Sequence, residues 1–217
     1  MTSHHDPALR LLRAADPRLA ALIDRVGACH LDPRRTDDEH RAGHFTGLAR
    51  AIVAQQLSNK AAATIFARVH ALGRGDDGHL SAAKILATPA EKLREAGLSG
   101  QKARYVVDLC EHVERGSIAL GKLDDLDDEA VIETLCQVKG VGRWTAEMFL
   151  MVRLGREDVL PVDDLGIKKG FQALFNLRKL PDAARMTKLA KPFRPYRSIA
   201  CWYLWRINDV QPREGEG

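Results

Sequence analysis

Two stretches of this sequence hold residues whose types and spacing suit chemistry: QVKGVGRWTAEMFL, residues 137 to 150, and LPVDDLGIKKGF, residues 160 to 171. In the first, an amphipathic helix from Asp128 to Val138 runs into the tight turn KGVG, and a second helix starts at Arg143. The pattern is helix, hairpin, helix, over about residues 128 to 154. The backbone N–H groups opening the second helix have no internal partner, and the helix dipole adds partial positive charge there. A phosphate oxygen is the natural guest. Glycine at 140 and 142 removes side chains that would hold a phosphate off, Val141 can tuck inward, and Lys139 and Arg143 flank the turn with charge. Lys139, Gly140, Val141, Gly142 and Arg143 are therefore the predicted DNA-phosphate site. The plainer use of the same residues is a tight turn between packed helices. The nucleotide loops GxxxxGK[ST] and strand-borne GxGxxG are both absent.

The second stretch sets Asp163 and Asp164 side by side after Pro161, just before an apolar-periodic run. An aspartate there, Asp163 first, can cap the helix by accepting its first N–H groups, which leaves the other to react. Farther on, PYRSIACWYLW supplies Tyr196, Trp202, Tyr203 and Trp205. Trp202 and Trp205 are three apart on one helix and so share a face, although core packing is the competing use of every aromatic here. Hairpin, following helix, Pro-x-Asp-Asp-x-x-Ile-Lys and the PYRS-A-WYLW run together resemble the helix-hairpin-helix (HhH-GPD) DNA glycosylases. Within them the chain is similar to the 3-methyladenine DNA glycosylase II branch, which removes alkylated bases. The resemblance covers most of the chain, from FTGLARAIVAQQLSNKAA through PYRSIACWYLWR.

By that resemblance the catalytic aspartate is Asp164, with Asp163 as the alternative because other branches space theirs one residue closer to the hairpin. Trp144 and Trp205 match the family's pocket tryptophans; Trp202 joins them as a pocket candidate, and Met148 and Leu165 stand where that branch has aromatics. A more open pocket is implied. Gln56 falls on the family's intercalating position with Leu57 beside it, so these two are the wedge candidates, and Ser58 is the next helix cap. The resemblance also implies a monovalent cation on the backbone carbonyls of Cys136, Val138 and Val141. Relatives that also cut the backbone carry a lysine where this chain has Trp144, which implies a monofunctional hydrolase that leaves an abasic site.

The chemistry of such a reaction is plain. Breaking an N-glycosidic bond builds positive charge on the sugar, which a neighbouring carboxylate stabilises while it orients or deprotonates water. A purine alkylated at N3 or N7 is already cationic, leaves readily, and is drawn to aromatic faces once flipped from the stack. The alternatives are a non-catalytic hairpin module that only binds DNA, and a bifunctional glycosylase/lyase.

The elements that must position these groups read as helices throughout. Apolar residues recur at three- and four-residue steps in HFTGLARAIVAQQLSNKAAATIFARVHAL and in ten further segments from Pro7 to Asn208, and no stretch alternates like a strand. The expected fold is all-α. Thr88 before Pro89 and Ser99 before GQKARYVVDL are expected caps, and the acidic run from Asp124 to Ala130 supplies another. The longest non-helical candidates are LDPRRTDDEH and GRGDDGH. The resemblance implies two helical subdomains flanking a DNA-binding cleft with Asp164 facing it: residues 1–40 with 158–217, and 41–157. The larger members of that branch carry an extra N-terminal β-domain; residues 1–40 here read as helix and loop, so none is expected.

Composition agrees with this reading. The 217 residues are 45% hydrophobic and 29% charged, as in a soluble globular protein. No apolar run approaches the roughly 20 residues of a membrane span, and MTSHHDPALR lacks the apolar core of a secretion signal, so the cytoplasm, or the nucleoid of a bacterial cell, is the expected location. Cys29, Cys110, Cys136 and Cys201 form no CxxC pair, so no iron–sulfur cluster and no other cofactor is expected. The scattered histidines suggest no metal site. A net charge of +4 suits a polyanion, and damaged double-stranded DNA bound by a monomer is the expected partner.

Overall fold

A computed structural model of the chain describes residues 5–31, 43–76 and 78–207. Among them every regular element is helical, and the sole pairing of strand type is one antiparallel bridge between Arg74 and Leu80 in the GRGDDGH loop. The other long loop candidate, residues 31–40, falls almost wholly outside the described residues. Two compact units emerge: Met1–Asp32 with Gly155–Gly217, and Pro33–Leu154. The division falls at 32/33 and 154/155, where the sequence expectation put 40/41 and 157/158.

The first unit contains α1 (Asp6–Ala15), α2 (Pro17–Val26), α10 (Leu165–Leu174), α11 (Ala183–Ala190), a short 3-10 turn (Lys191–Phe193) and α12 (Arg197–Trp205). Leu12, Leu19, Leu22, Ile23, Ile167, Phe171, Met186, Phe193 and Tyr203 are its buried centre. Helices α10 and α12 cross closely because Gly166 and Gly170, one turn apart, present no side chain. A Cβ on Gly170 would lie 2.6 Å from the Leu204 carbonyl oxygen, and one on Gly166 would lie 2.9 Å from the Trp205 ring. Tyr203 donates to the Gly27 carbonyl at 2.9 Å, which ties α12 to the end of α2.

The second unit contains α3 (Gly43–Ala54), α4 (Asn59–Leu72), α5 (Ala82–Leu86), α6 (Ala90–Glu95), α7 (Gly100–Glu114), a 3-10 turn (Leu120–Asp125), α8 (Asp128–Leu135) and α9 (Arg143–Val152). Leu48, Ile52, Val53, Val69, Ile85, Leu93, Val106, Leu109, Val131, Leu135 and Leu150 form its core. Side chains cap most of these starts as the residue types dictate: Ser58 accepts from Ala61 N–H, Ser99 from Lys102 N–H and Asp127 from Ala130 N–H. Thr88 does not cap α6. Its hydroxyl turns back to the Lys84 carbonyl at 2.8 Å, and Pro89 takes the cap position with no side-chain bond.

Candidate functional site

The hairpin lies in the second unit, where α8 ends, Cys136 to Gly142 turn, and α9 begins. Its cap is Gly142, with no side-chain hydrogen bond to the first turn of α9. A Cβ on Gly142 would meet nothing within 4 Å, so this part of the turn is open to a close-approaching group. Gly140 serves differently from the sequence expectation. It sits at φ +81°, and a Cβ there would lie 2.1 Å from Tyr105 Cδ2, so the glycine makes room for a tyrosine of α7 rather than for a phosphate. Val141 is buried, as a brace should be.

The two flanking cations are also placed otherwise than the sequence suggests. Lys139 gives its ammonium to Asp108 Oδ1 at 2.7 Å and its backbone N–H to Oδ2 at 2.8 Å. Burial works to raise the pKa of Asp108, but the Lys139 bonds and charge outweigh it and leave the carboxyl below its ordinary value. Arg143 pairs with Glu129 of α8 and lies 3.4 Å from Glu147 of its own helix. The hydrogen bond to Glu129 raises the Arg143 pKa. Both charges are thus committed to carboxylates, and the main chain at Gly142 is left as the open part of the turn.

The wedge candidates sit on the turn between α3 and α4. Gln56 is exposed at φ +58°, a left-handed conformation that costs energy for a residue with a side chain, and Leu57 is exposed beside it. Lys102 of α7 holds this turn by donating to the carbonyls of Val53 and Gln55, at and just past the C-terminal end of α3. Desolvation there lowers the Lys102 pKa. Gln55 in turn donates to the Gly140 carbonyl at 2.8 Å. Wedge turn and hairpin are therefore one braced assembly.

In the first unit Asp164 is the N-cap of α10 and is only 8% exposed. Its Oδ1 accepts from Ile167 N–H at 2.7 Å and from the Trp205 indole N–H at 2.9 Å. The cap falls on Asp164, not on Asp163, whose side chain is exposed and lies 3.5 Å from the Lys168 ammonium. An ionised carboxylate has about four acceptor sites, so capping and reacting are compatible roles for one carboxylate. The PYRS-A-WYLW run explains how the segment is held. Arg197 binds the Asp158 carboxylate at 2.6 Å, and Ser198 donates to the Arg156 carbonyl and accepts from Val159 N–H. Trp205 closes the same segment at the far end of α12.

The sequence matches the HhH-GPD superfamily base excision DNA repair proteins over residues 49–195. The chain belongs to that superfamily. Among its relatives in Schizosaccharomyces pombe, the alkylbase DNA glycosidase-like protein mag2 is 33% identical over 99% of this chain and 98% of its own length. DNA-3-methyladenine glycosylase 1 of the same yeast is 37% identical over 92% of this chain and 86% of its own. The solved structure of the S. pombe 3-methyladenine DNA glycosylase Mag1 in complex with abasic DNA superposes with a TM-score of 0.80, at 32% identity over 94% of this chain and 97% of that one.

The other HhH-GPD pocket candidates divide by burial. Trp144, 44% exposed, and Met148, half-buried, lie one turn apart on α9; Leu165, 55% exposed, follows Asp164; Trp205 is half-buried. Trp202 is not available in this way. It is 4% exposed, with the Arg206 guanidinium 3.5 Å above its ring and Tyr203 and His30 edge-on, so it packs the unit's interior. Trp202 and Trp205 are three apart on α12 as expected, but they differ in burial, since Trp202 is packed over and Trp205, at the helix end, is half-buried.

Sequence reasoning missed Gln55 and one face of α7, where Lys102, Tyr105 and Asp108 follow at steps of three and brace the wedge turn and the hairpin. Asp108 had a signal: a carboxylate inside the apolar run YVVDLC, buried and hence in need of a partner.

Proposed function

We propose that this protein is a monofunctional base-excision-repair glycosylase that hydrolyses the N-glycosidic bond of alkylated purines of the 3-methyladenine and 7-methylguanine class in duplex DNA. The observation that carries the reading is Asp164: a buried carboxylate whose Oδ1 accepts from both Ile167 N–H and the Trp205 indole. A carboxylate kept so rigid can face developing positive charge on a sugar without rearranging.

The hairpin unit holds the duplex, and the Asp164 unit does the chemistry. The uncapped start of α9 at Gly142 takes a backbone phosphate, and Gln56 or Leu57 fills the gap left by the flipped nucleotide. Within the Asp164 unit, Leu165 and Trp205 offer an apolar and an aromatic face to the cationic base; Trp144 and Met148 are the base-contact candidates of the hairpin unit. As the bond to the base breaks, its electron pair leaves with the base. Water then bonds the sugar carbon and its proton passes to the Asp164 carboxylate. Trp144, where a lyase would need an amine, leaves hydrolysis as the outcome.

A monovalent cation fits the turn only through main-chain oxygens. Val138 O already accepts from Val141 N–H at 3.0 Å and keeps a second lone pair, so Cys136, Val138 and Val141 are the residues that would hold the ion. It would supply positive charge beside the bound phosphate. A monomer acting in the cytoplasm on damaged double-stranded DNA completes the proposal.

The test is chromatography of free bases released from methylated duplex DNA by the wild type and by Asp164→Asn. Asparagine caps helices as well as aspartate does, so the variant should stay folded. Base release should fall on the order of 100- to 10,000-fold. A wild type that binds this DNA but releases nothing supports the second reading, a binding module, for which the similarity to a protein named glycosidase-like over 99% of the chain speaks. Full activity in the variant would transfer the role to Asp163.

A further inference from the structure

In the first unit, α11, the turn Lys191–Phe193 and the start of α12 enclose an open depression of about 700 Å³ lined by Ala184, Thr187, Lys188, Lys191, Arg194 and Arg197. Four of these six residues are cationic, and the carboxylate that meets them is Asp158. Arg197 is spent on it at 2.6 Å and Arg194 reaches it at 3.5 Å. Lys188 and Lys191 are exposed and pair with no carboxylate among the described residues. The two remaining residues, Ala184 and Thr187, are small and leave the floor accessible. We propose that this depression is a second DNA-backbone site, which takes phosphates of the strand that presents its nucleotide to Asp164. The inference rests on the proposed function for its ligand, but not for its location.

Charge and distance support that assignment. At the hairpin Lys139 and Arg143 are both neutralised by carboxylates, so the phosphate contact there is largely main chain and contributes little released counterion. The depression offers two unpaired ammonium groups and part of a guanidinium instead. Within the unit the two sites lie at opposite ends of α12, which starts at Arg197 and ends at Trp205 against Asp164. Eight steps of 1.5 Å separate them by about 12 Å, the rise of three or four successive phosphates on one strand.

The test uses the full chain and an undamaged, fluorescein-labelled DNA duplex of mixed sequence, with affinity read by anisotropy across a salt series. In Lys188→Gln/Lys191→Gln the slope of log K against log salt should become shallower by roughly 1 to 2, because each phosphate contact carries about 0.9. Affinity should drop at low salt, while single-turnover base release at saturating methylated DNA stays at the wild-type rate. Lys84→Gln/Lys92→Gln, which removes two lysines ion-paired on the other unit, is the control and should leave the slope unchanged. An unchanged slope in the first variant, or an equal fall in the control, overturns the proposal. A fall confined to Lys188 and Lys191 in a protein whose wild type releases no base would keep the site and sink the glycosylase reading instead.

Discussion

At the hairpin, side chains are spent on construction. Lys139 closes on Asp108, Gln55 holds the Gly140 carbonyl, Tyr105 fills the space under Gly140, and the start of α9 at Gly142 is left as bare main chain. Around Asp164 the division is reversed. There the main chain of α10 and the Trp205 indole do the construction, and a side chain is what they hold in place. The difference teaches where each function tolerates change: the hairpin is sensitive to any added atom, the acid corner to any lost hydrogen bond.

Paired glycine substitutions break the comparison most forcefully. Gly140→Ala puts a methyl group on the Tyr105 ring at a left-handed φ, and the combined overpacking and backbone cost should reach about 3 kcal/mol. Gly142→Ala adds the same methyl group where nothing lies within 4 Å, at φ −94°, and should change stability by no more than about 1 kcal/mol. Both should lose DNA binding, the first through the fold and the second through the occupied approach to the helix start. Chemical denaturation alongside anisotropy separates the two causes. A Gly142→Ala protein that binds DNA like the wild type would show that the phosphate docks elsewhere.

These glycines also mark the limit of what the sequence discloses. The helices, their Ser and Asp caps and the hairpin itself were legible because periodicity and cap chemistry are local. That Gly140 serves Tyr105 was not, since the two meet across 35 positions of chain and a glycine reads the same whether it admits a ligand or a neighbour. For the same reason Lys139 and Arg143 looked like available charge, while Asp108 and Glu129 could be recognised as their partners only in three dimensions. Trp202 was misjudged because a helical face is defined by spacing, but its burial by what packs on it. The expectation of a reacting Asp164 came through the resemblance alone, whereas its place as the cap of α10, expected of Asp163 first, follows from its position directly before Leu165.

At the acid corner the smaller change is Trp205→Phe, which keeps the ring and removes the indole N–H from Asp164 Oδ1. A hydrogen bond to a charged acceptor contributes about 1.5–3 kcal/mol, so base release should slow roughly tenfold or more while DNA affinity stays near the wild-type value. Trp202→Phe, in the packed interior, should instead lower the melting temperature and spare the rate. If both variants slowed base release equally at unchanged stability, the indole bond would have no special part in holding the carboxylate.

The weakest perturbation tests whether the hairpin is braced by charge. Asp108 has a lowered pKa in the folded protein, so its contribution to stability is complete above the ordinary aspartate value of 3.8 and is lost as pH falls through the lowered value. In Asp108→Asn one acceptor remains for Lys139, and the donor half of the amide replaces the other. The variant should be less stable by about 1–2 kcal/mol at neutral pH. That gap should hold constant above about pH 5 and narrow below it, since the wild type loses the same interaction on protonation. Thermal melts of both proteins from neutral to acid pH read it directly. DNA affinity should fall only slightly, because Gln55, Tyr105 and the buried Val141 still hold the turn. A gap that stayed constant down to the acid transition would mean that shape, not the Lys139–Asp108 charge pair, fixes the hairpin, and the contrast with the Asp164 corner would then rest on the glycines alone.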